Sequence, residues 1–191
     1  MAAWILAGLI GTASAQELHT GIPVRGVEGL GEPDFLTPEL GWSAPIEGGF
    51  VKVFVGSSAE QAEAWVQQAQ MSITVVLPVL DGLGDEAWGD ASGLLIVRTG
   101  NIALQVRAQG NAGELAQAML DAIPSVSQPW PEPPSLIEVG EGRWRVEAPG
   151  AAAVRFTGGG QATPGADLTF SERPEAVVAW DEWGRPSVWS Q

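Results

Sequence analysis

Between Pro124 and Pro134 the chain carries five prolines in eleven residues, and no regular element runs through such a stretch. Proline lacks a backbone N–H and fixes φ, so it ends helices and is kept out of sheet interiors. The segment predicts a stiff, extended linker and the best domain boundary in the chain. The hydrophobic pattern also changes across it. Upstream, strand-type and helix-type periodicities follow one another; downstream, the apolar runs are all of strand length.

Upstream, Val51, Val53 and Val55 alternate with Phe50, Lys52 and Phe54, a strand with both faces largely covered. Ser57 with Glu60, or Ser58 with Gln61, has capping-box spacing. The helix it opens places Ala62, Trp65, Val66 and Ala69 on one apolar face. Ile73 to Leu80 reads as a second strand, interrupted or edged by Pro78. A turn-rich stretch over 81–90 then leads to a hairpin. Its strands are Leu94–Arg98 and Ile102–Arg107, and Gly100-Asn101 supplies positive φ angles at the turn. Asn111, with Glu114 three residues on, predicts the cap of a second helix that buries Leu115, Ala118, Met119 and Ala122 and ends before Pro124.

Downstream, Leu136–Val139 and Arg143–Glu147 flank Gly140-Glu141-Gly142 as a hairpin. Short strands follow at Val154–Phe156, Asp167–Phe170, Ala176–Trp180 and Ser187–Trp189. The fold class expected is α+β: an antiparallel or mixed sheet with two helices on one face, then a small all-β sandwich or barrel-like domain. The expected division is a signal peptide over 1–15, an extended Gly/Pro-rich arm over 16–48, an α+β domain over 49–123, the linker over 124–134 and a small β domain over 135–191. One short strand around Ile22-Pro23-Val24 is expected in the arm.

The signal-peptide expectation rests on the apolar run Ala2–Gly11, closed by Ala13-Ser14-Ala15 in the small-x-small form of a peptidase site. The run is too short to span a bilayer as a helix, and no Lys or Arg precedes it. No cysteine follows to carry a lipid. These features predict a periplasmic or extracellular location, without stable membrane insertion of the mature chain. Cleavage would leave 176 of 191 residues holding all 23 acidic and nine basic side chains, so the net charge stays at −14. Nucleic acid and anionic lipid are poor partners for such a chain, because both are held through Lys and Arg. The absence of cysteine removes disulfides, thiol catalysis and thiolate metal sites together.

Few residues offer chemistry. His19, the sole histidine, falls in the arm, where a mobile backbone would not hold a base against a nucleophile. Lys52, the sole lysine, sits mid-strand without a supporting Ser motif. Gly158-Gly159-Gly160 lacks phosphate-loop spacing. Asp81, Asp85, Glu86 and Asp90 cluster in one turn-rich stretch as hard oxygen ligands for Ca²⁺, though outside EF-hand spacing. Asp181 and Glu182, with Glu172 or Glu175, offer carboxylates of the kind a glycosidase sets on either side of a sugar. Trp144, Trp180, Trp183 and Trp189 crowd the last 57 residues. Large indoles dominate core energetics, which favours a core role over a ligand platform; alternation turns Trp144 and Trp180 inward and leaves Trp183 in a turn as the more exposed.

Gly84-Asp85-Glu86-Ala87-Trp88-Gly89, followed by Leu94–Arg98 and Thr99-Gly100-Asn101-Ile102, resembles an element of exported bacterial domains of unknown function, among them the kinase-sensor-like lipoproteins. In those domains Gly-Asp-Glu-Ala-aromatic precedes a hairpin with Arg-x-Gly-Asn at its turn and then a helix. The likeness spans residues 49–123 in element order, without the lipobox or the disulfide cysteines of those lipoproteins, and it implies no catalytic residue. Trp180-Asp181-Glu182-Trp183-Gly184-Arg185 is similar to one unit of the YD/RHS repeat, which implies a β-hairpin there. Taken together, the residues predict a non-enzymatic exported binding or assembly protein of the bacterial cell envelope. It has no cofactor, and its partner is an unidentified protein or glycan. A carboxylate-dependent glycan hydrolase and a calcium-stabilised surface protein are the alternatives.

Overall fold

The computed structural model describes residues 18–140, 142–156, 160–162, 167–169 and 173–190. The apolar run at 1–15 and Glu172 therefore lie outside the described residues. The first half forms one seven-stranded sheet of order β1-β2-β3-β7-β6-β5-β4. Its strands are β1 (Asp34–Phe35), β2 (Trp42–Ile46), β3 (Gly49–Val55), β4 (Val79–Leu80), β5 (Glu86–Gly89), β6 (Leu94–Thr99) and β7 (Ile102–Arg107). Every neighbouring pair is antiparallel.

Successive side chains on a strand leave by opposite faces, and the central strands are apolar on both. Phe54, Leu94, Ile96 and Ala103 share one cluster with Ala62, Trp65, Val66 and Ala69 of helix α1 (Ala59–Met71). Val51, Val53, Val55, Leu95, Val97, Ile102, Leu104 and Val106 share the other with Ala112, Ala116 and Met119 of helix α2 (Ala112–Asp121). The two helices thus cover opposite faces, not one. The class is α+β, but a sheet centre with no polar side requires cover on both.

Several local expectations need correction. Ile73–Leu80 pairs as a strand only at Val79–Leu80, and Glu86–Gly89, within the stretch read as turns, pairs with β6. Helix α2 exposes Ala118 and buries Ala112, Ala116 and Met119; alanines occupy both of its sides, so their spacing does not single out a face. Asn111 makes no side-chain cap bond. In α1 the N-cap is Ser58, whose Oγ accepts from the Gln61 N–H at 3.4 Å, while the Gln61 amide oxygen accepts from the Ser57 N–H at 2.9 Å.

The stretch 16–48 is no loose arm where it is described. It contains β1 and β2, and Ile22, Val24, Phe35 and Trp42 are buried in the same cluster as α2. Ile22-Pro23-Val24 itself forms no strand. Gly21, with φ 136°, lies where an added Cβ would overlap the Trp183 carbonyl oxygen, so only glycine allows the approach.

The second half folds as two sheets. Strands β8 (Ser135–Gly140), β9 (Arg143–Glu147) and β12 (Asp167–Thr169) make one; β10 (Ala151–Phe156), β11 (Gly160–Ala162), β13 (Ala176–Asp181) and β14 (Pro186–Ser190) make the other. Val146 of the first sheet shares a cluster with Val154, Phe156, Val177 and Ala179 of the second. Trp180 and Ala153 leave that cluster and join the one built on Trp42, with the Phe35 and Trp180 rings 5.5 Å apart. The Val24 N–H donates to the Glu182 carbonyl at 2.9 Å, and the Arg155 guanidinium donates to the carbonyl of Phe35. The N-terminal stretch thus packs between the large sheet and the second half.

Candidate functional site

The proline-rich segment has no helix or strand, yet it is fastened at Val126, Gln128 and Trp130. Thr20 Oγ1 donates to the Val126 carbonyl at 3.1 Å and accepts from the Gln128 N–H at 2.8 Å. Arg185 donates to the Gln128 carbonyl at 2.9 Å and lies 5.7 Å over the Trp130 ring. The Trp130 indole N–H donates to the Pro186 carbonyl at 2.9 Å. With Pro129 and Pro131 stiffening its backbone, Trp130 is held at the surface, 38% exposed.

Arg185 is itself locked by the turn between β13 and β14, where Gly184 takes φ 74°. Both its Nε and its Nη2 lie 2.7 Å from Asp181 Oδ2, while Asp181 Oδ1 accepts from the N–H groups of Trp183 and Arg185 at 3.0 and 2.9 Å. Both oxygens of this buried carboxylate are engaged in holding the turn.

Trp130 and Pro186 form one wall of a cleft of about 480 Å³. The facing wall is α1, through Gln61, Trp65 and Gln68, backed by Phe54 of β3; Pro38 and Glu39 close one end from the β1–β2 loop. Phe54 and Trp65 stack with centroids 6.1 Å apart and planes 12° off parallel. The volume falls in the range of small-ligand sites, and apolar rings with a few amides are their usual lining. An indole face packs on the C–H face of a sugar ring while amides meet its hydroxyls. Glu39 is the one carboxylate among the described lining residues.

The residues singled out by sequence are dispersed. His19 is tied by its backbone: its N–H donates to the Asn101 side-chain oxygen at 2.7 Å, and its carbonyl accepts from the Asn101 amide at 3.1 Å. It lines a groove with Asp85, Ser125 and Ser127. Asp85 there accepts from the Gly100 N–H at 2.7 Å and lies 3.8 Å from Arg98, so the groove's carboxylate is committed to a turn. Glu86 pairs with Arg98 at 2.9 Å. Asp90 accepts from the Ser92 hydroxyl at 2.6 Å and from the N–H groups of Ser92 and Leu94 at 2.9 and 3.2 Å. Asp81 is exposed. Among the described residues, no three acidic or histidine side chains gather as a metal site.

Lys52 lies 5.5 Å over the Phe50 ring. Glu175 and Glu182 are exposed. Trp180 is buried, Trp183 is half-buried, and Trp144 and Trp189 each lie 5.1 Å from the Arg173 guanidinium. Trp130, which lines the cleft, and Arg185, which lies over its ring, were missed. Their signals were an indole set between two prolines and an Asp-x-x-Gly-Arg turn placing opposite charges four residues apart. Comparison with protein-family models, with curated proteins and with solved structures finds no match.

Proposed function

We propose that the chain is a non-enzymatic binding protein of the bacterial cell envelope, exported to the periplasm or beyond, that holds a glycan in the cleft between α1 and Trp130. The observation that carries this reading is Trp130 itself. A large apolar ring kept at the surface by a hydrogen bond, a stacked guanidinium and two flanking prolines is pre-organised to receive a ligand. Gln68 and Glu39 supply polar groups beside it.

Glycoside hydrolysis uses two carboxyl groups about 5–10 Å apart across the sugar. One described carboxylate lines the cleft, and Asp181 is bound up with Arg185, which favours recognition over turnover. Calcium gains no support from Asp81, Asp85, Glu86 and Asp90, since Asp85 and Glu86 both lie against Arg98 and Asp90 is taken up by Ser92.

Titration of the purified chain with soluble envelope glycan fragments, followed by calorimetry, tests the proposal. Trp130→Ala is expected to weaken binding about tenfold or more, equivalent to about 1.4 kcal/mol, and Trp130→Phe to keep part of it. Binding indifferent to Trp130, or steady release of cleaved glycan by the purified chain, would overturn it.

A further inference from the structure

The seven-stranded sheet ends at β4, and the surface there is apolar. Val76 is 97% exposed and Met71 80%, with Val75 and Val79 also open to solvent. Together with Trp88 they line a groove of about 690 Å³. Isolated exposed apolar residues are ordinary, but a contiguous group on a sheet edge marks an interaction surface.

Hydrogen bonding makes that edge receptive. The Gly89 N–H donates to the Pro78 carbonyl at 3.0 Å, and Val79 stands opposite Trp88. Val79 is thus in a non-hydrogen-bonded pair with β5, so its own N–H and C=O point away from β5, to the free edge. Among the described residues, no backbone N–H from Thr74 to Leu77 donates to another backbone group. An added strand would meet unpaired donors and acceptors beside apolar side chains, which is how extended peptides join a sheet.

Charge selects the occupant. From Val53 to Val97 there is no Lys or Arg, while Glu60, Glu63, Asp81, Asp85, Glu86 and Asp90 all fall in that span; Arg98, just beyond it, pairs with Asp85 and Glu86. A symmetric pairing of two copies through β4 would bring these acids together on chains of net charge −14. A cationic partner gains where a second copy loses. We propose that the β4 edge takes up an extended segment of another protein in which apolar and basic residues alternate. The segment adds as an eighth strand, its apolar side chains on Met71, Val76 and Val79 and its bases towards the acidic surround. This surface is distinct from the Trp130 cleft, and its occupancy does not depend on that site.

The test uses the full chain and a ten-residue peptide of alternating valine and lysine, with a counterpart in which glutamate replaces lysine. The expected result is binding of the lysine peptide alone, weakening as salt rises, with the Val79 amide gaining protection from hydrogen exchange. Val76→Lys and Val79→Lys, at exposed positions, are expected to reduce binding at least tenfold while the melting temperature and glycan binding stay unchanged. Any of four results would overturn the proposal. These are no binding of the lysine peptide, equal binding of both peptides, a dimer in sedimentation that Val79→Lys dissociates, or capture of phosphatidylcholine vesicles that Val76→Lys abolishes.

Discussion

Asn101 shows how one polar side chain can hold distant backbone together. It is fully buried, and its amide donates to the carbonyls of His19 and Gly56 at 3.1 and 2.8 Å while its oxygen accepts from the His19 N–H. The Gly100-Asn101 pair reads as a turn in which both residues take positive φ. Only Gly100 does, at 50°, which leaves the Asn101 side chain free to turn inward. Asn101→Ala strands three backbone groups, and leaving buried polar groups unpaired is expected to cost about 2–4 kcal/mol, seen as a lower urea midpoint. Arg185→Met leaves Asp181 buried without its counter-charge. Breaking such a pair from one side is expected to cost about 3–5 kcal/mol in urea unfolding, and Trp130 fluorescence should shift as the guanidinium leaves its ring. The Asn101 role was not legible along the chain, because its partners lie 45 to 82 residues away; the Asp181–Arg185 spacing marks a charged turn, but its burial does not show in the sequence.

At the scale of elements, bulky side chains made the pattern readable and small ones did not. Trp65 and Val66 point α1 at the sheet without ambiguity, whereas the alanines of α2 fit two faces equally. The Ile73–Leu80 run has the β-branched content of a strand, but pairing reaches only Val79–Leu80 and leaves Val75 and Val76 exposed. Turn chemistry also sets an acid response. The Ser92 hydroxyl, helped by the Ser92 and Leu94 N–H groups, holds the Asp90 carboxyl below the usual aspartate range; the Ser58 hydroxyl does the same for Glu60 at the start of α1. A carboxylate depressed in the folded state contributes stability that is present above its unfolded value, near 4, and is lost as pH falls through the lower folded one. Asp90→Asn is therefore expected to be less stable than the parent at pH 7 and to lose stability less steeply below about pH 4, in urea titrations across pH.

For the whole molecule, the decisive contact is the cluster shared by Trp42, Phe35 and Trp180, which joins the large sheet to the strands beyond the proline-rich segment. Far- and near-ultraviolet circular dichroism are expected to report one coincident unfolding transition. Trp180→Ala is expected to shift that entire transition by about 3–5 kcal/mol rather than splitting off an early phase. Two separate transitions would show that each half unfolds independently. Residue order alone determined the α+β class, the position and face of α1, the β6–β7 hairpin and the strand character of the second half, because each follows from local periodicity, capping and turn chemistry. Only the tertiary structure decided that the helices lie on opposite faces, that the stretch from 18 to 46 supplies two strands and buried side chains to the core, and that the prolines hold a tryptophan over a cleft. Those outcomes depend on which apolar faces meet, and burial between residues far apart in the chain leaves no periodic trace within either segment.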